Sequence, residues 1–360
     1  MSISCLAGSI PRGFSASPSL LMNGSDLSAE STEPAVSAVP LPRAHLTSER
    51  TIATLTVQGR FLAAAREFLT AEGFTELLPP IIGPVTDPGA RGAKQVDIDY
   101  YGHRYKLMTS GILYKQASLL AFDKIFHVAP NVRLEPLETA VTHRHLAEFH
   151  QLDVEIAGGA REDAMDVAER MTKYAVEFVL SSAQHELEVL NRDVEQLKQI
   201  LAGPYERKRH TETVAQLREL GYDQREHTEI DWAGEELISS TATRPFFITD
   251  YPKGSRGFYD KENPDEPGAL RNFDLIFPGG FGEMMSGSER ESDYRTLLSR
   301  IRETGENPAK YEWYLTLARE GLPSSAGFGL GVERFTRFLC GLSAVWQATA
   351  YPKPPGEPRP

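Results

Sequence analysis

A chain of 360 residues, 41% hydrophobic and 24% charged, can bury one large core or two small ones. No apolar run approaches the ~20 residues of a bilayer span, and Met1–Ile10 lacks the basic start of a secretory signal, so a cytoplasmic protein without membrane contact is expected. The net charge of −12 asks for no extended grip on nucleic acid, whose phosphates are held by basic surface.

Residues 1–43, rich in Ser, Pro, Ala and Gly, bury too little apolar surface to offset their ordering entropy and read as a disordered tail. Cys5 falls there and Cys340 in a core helix; two isolated cysteines make neither a disulfide framework nor a metal cluster. Over Thr51–Glu72 the residues Ile52, Leu55, Val57, Phe61, Leu62, Ala65, Phe68 and Leu69 recur at helical spacing, and Gly73 stops the helix. Phe74–Ile82 is strand-like, and Pro79-Pro80 confines it to a sheet edge or an interface. Further strands are predicted over Arg104–Met108, Lys124–Val128, Gln151–Ile156, Pro245–Thr249 and Phe273–Phe277.

Asp163–Gln184 and Asp193–Leu201 are amphipathic helices. The polar stretch of about residues 190–243 reads as a peripheral insertion, with Glu206–His210 a solvated charged helix face. Helical patterns return at Glu291–Thr304 and Tyr311–Arg319, and Gly327–Gly341 joins a glycine-rich strand to a helix start. Strands interrupted by helix pairs, without regular alternation, predict an α+β fold over residues 44–360: a mixed or antiparallel sheet flanked by helices.

Three segments carry chemistry. Asn131–Glu135, a polar turn with His143-Arg144-His145-Leu146, and Phe149–Glu155 form strand, turn and strand with cations on the turn. Arginine forks match phosphate oxygens and keep their charge. Gly282–Arg290 sets a carboxylate, hydroxyls and an arginine on one strand, with Glu283 and Ser286 on opposite faces unless a bulge intervenes. Such oxygens suit Mg²⁺ bridging nucleotide phosphates. Gly327–Arg334 lets backbone approach a flat ligand. Each signal alone is weak, since a glycine-rich run is commonly a turn and Arg-x-Glu a cross-strand ion pair.

Together and in this order they resemble the three signatures of class II aminoacyl-tRNA synthetases. Phe68-Leu69-x-x-x-Gly73-Phe74-x-Glu76-x-x-x-Pro80 is similar to the first, a dimer-interface helix and strand, which implies a homodimer. Arg133-x-Glu135 through Asp153-Val154-Glu155 is similar to the second, and Gly329–Phe335 to the third. Phe247–Pro252, Phe258-Tyr259, Gly287–Glu291 and Tyr311–Tyr314 resemble the aspartate–asparagine subgroup. The resemblance implies ATP and Mg²⁺ as cofactors and gives each residue a role. Arg133 holds the α-phosphate and the reacting carboxylate, and Glu135 contacts the nucleotide. Arg144, His145 and Leu146 belong to the turn reaching the outer phosphates. Gly331, Glu333 and Arg334 line the adenine and γ-phosphate side, and Glu283 and Ser286 contact Mg²⁺.

Ser110-Gly111-Ile112-Leu113-Tyr114-Lys115-Gln116 occupies the place where the subgroup reads its amino acid. Lys115 and Arg290 imply a two-cation pocket for aspartate, with Ser110, Ile112, Ser286, Gln151 and Asp153 beside the substrate. Ile112 and Val85-Thr86-Asp87-Pro88 depart from aspartyl-tRNA synthetases and resemble the archaeal asparagine synthetase-related proteins. With only about 50 residues ahead of the first signature, too few for an anticodon-binding barrel, the expectation is an AMP-forming ligase. It would make asparagine from aspartate, ATP and ammonia through aspartyl-adenylate, with tRNA not expected as its partner. Transfer of activated aspartate to a larger amine or to a tRNA is the alternative. A non-catalytic paralogue would have lost Arg133, Glu283 or Arg334; all three are present.

Overall fold

A computed structural model describes residues 39–88, 92–358 and 360. The expected tail lies outside the described residues as far as residue 38, and helix α1 (Pro42–Leu46) already occupies its last positions. The chain continues as α2 (Glu49–Ala71), β1 (Thr75–Glu76), β2 (Ile82–Gly83), β3 (Asp97–Tyr100), β4 (His103–Leu107) and α3 (Ile112–Ser118). Then come β5 (Lys124–Val132), β6 (Glu148–Ala157), α4 (Arg161–Ser182), α5 (Gln184–Val189), α6 (Val194–Gln199), β7 (Glu206–Arg209), α7 (His210–Glu219) and α8 (Trp232–Ser240). Last are β8 (Phe246–Thr249), β9 (Asn272–Phe277), β10 (Gly282–Arg290), α9 (Tyr294–Glu303), α10 (Glu312–Gly321), β11 (Ser325–Gly331) and α11 (Val332–Cys340).

Among the described residues, eight strands form the main sheet in the order β1-β5-β6-β11-β10-β9-β8-β7, and β2-β4-β3 form a small one. The main sheet is antiparallel except at its edges, where β1 runs parallel to β5 and β7 to β8. This is the mixed sheet flanked by helices that the pattern predicts, and no closed barrel occurs among the described residues. Gly73, at φ +84°, ends α2 in the left-handed region, and Pro79-Pro80 follows the short edge strand β1.

Alternation within the central strands decides which face becomes core. Leu152, Val154 and Ile156 of β6, with Ala326, Phe328 and Leu330 of β11, pack against Val57, Phe61 and Leu69 of α2 and Met165, Ala168 and Met171 of α4. Phe335 and Phe338 of α11 close this layer edge-on against Phe61 and Phe277. The residues between them, Gln151 and Asp153 on β6 and Gly329 and Gly331 on β11, face the opposite way and floor a cleft. Gly329 is needed there, because a Cβ would stand 2.8 Å from Asp153 Oδ1.

Two local readings change. Glu206–Arg209 is not a helix face but the edge strand β7, pairing with Phe246–Thr249. On β10 a bulge between Glu283 and Met285 breaks the even spacing, so Glu283 and Ser286 line the same cleft.

Candidate active site

All sixteen residues singled out from the sequence line one cleft of about 520 Å³. Arg133, Glu135, Arg144, His145 and Leu146 come from the end of β5 and the turn into β6; Gln151 and Asp153 lie on β6. Ser110, Ile112 and Lys115 surround the start of α3, and Glu283, Ser286 and Arg290 lie on β10. Gly331, Glu333 and Arg334 sit where β11 passes into α11.

One network is buried and saturated with its own counter-charges. Lys115, 2% exposed, donates from Nζ to Asp153 Oδ1 at 3.0 Å and to the Phe328 carbonyl at 3.1 Å, with Glu155 Oε2 at 3.4 Å. Arg290 forks onto Glu155 at 3.0 and 3.2 Å and donates from Nη1 to Ser288 at 2.7 Å and Asp260 at 3.4 Å. His127 Nε2 lies 3.2 Å from the other Asp153 oxygen. Burial pushes the Asp153 carboxyl up, but Lys115 and His127 outweigh it and hold the group well below its ordinary value. The two expected substrate-binding cations are therefore paired within the protein.

The second network gathers three arginines, Arg133, Arg144 and Arg334, along the cleft. Arg133 donates from Nε to the Thr109 carbonyl at 2.9 Å and lies 5.1 Å over the Phe149 ring. Arg334 reaches the Glu283 carbonyl at 3.3 Å and its carboxylate at 3.7 Å, and donates to the Arg144 carbonyl at 3.4 Å. Arg144 is buried and paired with Glu235. Glu333 turns inward and accepts from the His150 backbone N–H at 2.9 Å, while His150 Nδ1 lies 2.9 Å from its other oxygen. The Glu333 hydrogen bond raises the His150 pKa above its ordinary value.

Several cleft residues escaped the sequence reading. Phe149 stands at alternate positions with Gln151 and Asp153, which was a usable signal. Arg256 donates from Nη1 to Ser286 Oγ at 3.1 Å and pairs with Glu229 at 2.7 Å and with Asp274. Asp274 pairs in register with Ser286, and its Oδ1 makes no hydrogen bond. Burial raises the Asp274 pKa, Arg256 pulls it back, and Glu283 and Glu229 add to the rise. Glu229, Trp232 and Glu235 belong to the supposedly peripheral insertion yet reach the cleft or its arginines. Among the described residues, no group of three or more His, Cys, Asp or Glu side chains could hold a metal. Glu283 and Ser286 are the cleft oxygens that could contribute to holding one, and the buried Asp274 Oδ1, on the neighbouring strand, makes no hydrogen bond; oxygen donors of this kind suit a hard cation completed by phosphate.

An eight-stranded mixed sheet, with arginines from the β5–β6 turn and from the start of α11 over its open face, defines the catalytic domain of a class II aminoacyl-tRNA synthetase. The chain belongs to the family of tRNA synthetases class II (D, K and N), whose model matches residues 42–355. It is 36% identical over 308 residues to the asparagine–tRNA ligase of Lactobacillus delbrueckii subsp. bulgaricus, covering 86% of this chain and 70% of the relative. The asparaginyl-tRNA synthetase of Pyrococcus horikoshii, solved with asparaginyl-adenylate, superposes with a TM-score of 0.84 at 33% identity, covering 89% of this chain and 72% of the other. The aspartyl-tRNA synthetase of Entamoeba histolytica superposes with a TM-score of 0.70 at 27% identity over 86% of this chain and 60% of the other. The protein is thus an ATP-binding, AMP-forming ligase.

These relatives overturn the expectation that the chain makes asparagine from aspartate and ammonia, and with it the expectation that tRNA is not its partner; they favour the alternative in which a tRNA accepts the activated amino acid. The physical reason lies in the first network. Two free cations would demand a substrate carboxylate, but Lys115 and Arg290 already face Asp153, Glu155 and Asp260. The charge argument against tRNA failed because a net charge sums the whole surface and does not report a local one. The described residues include no helix long and apolar enough to cross a membrane.

Proposed function

We propose that the chain activates asparagine with ATP and passes the asparaginyl group to a tRNA. The observation that carries this reading is the internal pairing of Lys115 and Arg290. Lys115 and Arg290 supply two positive charges against three carboxylates, Asp153, Glu155 and Asp260. A second buried carboxylate there would meet repulsion, whereas a neutral side-chain amide can donate to these oxygens and accept from the cations.

In the first step an α-carboxylate oxygen attacks the α-phosphorus, the bond to pyrophosphate breaks, and pyrophosphate leaves with the electron pair. Arg133 is placed to neutralise two anions as they meet, a charge fixed in advance by Thr109 and Phe149. Phe149 and Arg334 offer flat surfaces for the adenine, and Arg144 and Arg334 take the outer phosphates. Glu283, Ser286 and Asp274 are the residues that would hold Mg²⁺, which supplies charge shielding to the leaving pyrophosphate. In the second step a terminal ribose hydroxyl of tRNA attacks the carbonyl carbon, and the acyl–phosphate bond breaks as AMP departs. The segment around Leu78, like the first signature it belongs to, supports a homodimer.

The test is pyrophosphate exchange into ATP with asparagine or aspartate, followed by charging of purified tRNA. Asparagine-dependent exchange and asparaginyl-tRNA are the expected results. Exchange supported by aspartate alone, or asparagine appearing on addition of ammonium, would overturn the proposal.

A further inference from the structure

We propose that Glu235, on helix α8 of the inserted segment, is a positioning residue for ATP that locks Arg144 to the strand carrying Glu283; the inference rests on reading the cleft as the nucleotide site. Glu235 is 3% exposed. Its Oε1 accepts from two donors at once, the Arg144 guanidinium and the Glu283 backbone N–H. Gly282, at φ +71°, lets that backbone come this close, since any Cβ there would collide with both the carboxylate and the guanidinium.

The contacts close into a ring. Arg334 donates to the Arg144 carbonyl at 3.4 Å and to the Glu283 carbonyl at 3.3 Å, so Glu235, Arg144, Arg334 and Glu283 each hold two neighbours. The Glu235 carboxylate thereby ties the β5–β6 turn to the start of β10 from a segment outside both, and Arg334 ties the same two to the start of α11. A second α8 contact braces the same turn, where the Trp232 ring lies 4.9 Å from His145.

This arrangement leaves Arg144 with specific capacity. Its Nε and Nη1 are buried and make no hydrogen bond, while Nη2 is held by Glu235. A buried guanidinium with two unused donors, lining the cleft, is a fixed fork for phosphate oxygens. An arginine side chain carries about 2 kcal/mol of rotamer entropy, and freezing it before ATP arrives removes that cost from binding. If Glu235 instead stood where a phosphate belongs, it would compete with ATP, and its removal would tighten binding.

Asparagine-dependent pyrophosphate exchange on Glu235→Ala and Glu235→Gln separates these cases. Loss of the lock raises the KM for ATP by up to about thirtyfold in Glu235→Ala, from the entropy of one freed arginine, and leaves the KM for asparagine within about twofold. Glu235→Gln keeps an oxygen able to accept both hydrogen bonds and recovers most of the loss. A KM for ATP that is unchanged or lower, or the two KM values rising together, overturns the proposal. Should Glu235→Ala not fold, Glu235→Asp, whose carboxylate is one methylene too short to hold both donors, is read by the same split between substrates. A wild-type protein without exchange would defeat the functional reading instead, and ATP titrated by calorimetry into wild type and Glu235→Ala (or Glu235→Asp) then decides the role of Glu235 alone. Equal dissociation constants there would end it.

Discussion

Lys115 carries a positive charge into a site almost closed to water, and Asp153 and Glu155 make that tolerable. Replacing it by Met keeps the shape of the stem but leaves buried Asp153 with His127 and buried Glu155 with Arg290. Removing one partner of a buried pair costs about 3–5 kcal/mol, so Lys115→Met should be destabilised by that order in urea unfolding. An unchanged midpoint would mean that Asp153 and Glu155 find compensation elsewhere. Arg133 makes a different kind of contribution. Its Nε is spent on Thr109 and its plane on Phe149, so the remaining N–H groups are already aimed. Lysine supplies the charge without the fork. Arg133→Lys should therefore lower kcat for pyrophosphate exchange by about 10²-fold or more, while melting with wild-type midpoint. A loss confined to KM would remove Arg133 from the chemical step.

Among the elements, β10 shows how a small irregularity builds the site. Without its bulge Glu283 and Ser286 would face opposite ways, and no periodicity announces a bulge before the pairing partners are known. The strands that floor the cleft were legible because alternation there is clean: Leu152, Val154 and Ile156 inward, Gln151 and Asp153 outward. The inserted segment was not, for a physical reason. β7 is an edge strand of charged residues, Glu206-Arg207-Lys208-Arg209, with no apolar face to betray period two. Arg256 meets Glu229 and Asp274, and Glu235 meets Arg144 and Glu283, only through tertiary contacts, so no local spacing joins them.

The same segment should report on acid. His210, at the start of α7, lies against Tyr251 and 2.9 Å from the Thr228 carbonyl, and burial lowers its pKa from 6.5 to about 4. Between those values the unfolded chain binds a proton that the folded one refuses, so stability falls as pH falls through this window and is complete above it. The loss amounts to about 3 kcal/mol at 1.36 kcal/mol per pKa unit. His210→Gln, measured by urea unfolding at pH 7 and pH 4.5, should lose less stability than wild type over that interval. Parallel losses in the two proteins would show that other groups govern the acid limb.

At the scale of the molecule, the least comfortable surface lies beside the edge strand β1. Leu78 is 96% exposed and Ile81 58% exposed, flanking Pro79-Pro80 within the segment that resembles the dimer signature. An apolar edge of this kind is a liability in a monomer, and proline there blocks open-ended strand pairing while leaving side chains free to pack. A two-fold interface uses the same patch twice, so each substitution counts twice. Burying a leucine is worth about 1.5–3 kcal/mol, so one change at Leu78 removes about 3–6 kcal/mol from the dimer, or roughly 10²- to 10⁴-fold in its dissociation constant. Wild type should sediment at twice the 39.9 kDa chain mass, and Leu78→Asp at the chain mass under the same conditions. Because the cleft is lined by residues of one chain, the variant should keep its far-ultraviolet circular dichroism and still bind ATP. A wild-type chain that sediments as a monomer at micromolar concentration would reject the dimer, and a dimeric Leu78→Asp would move the interface away from β1.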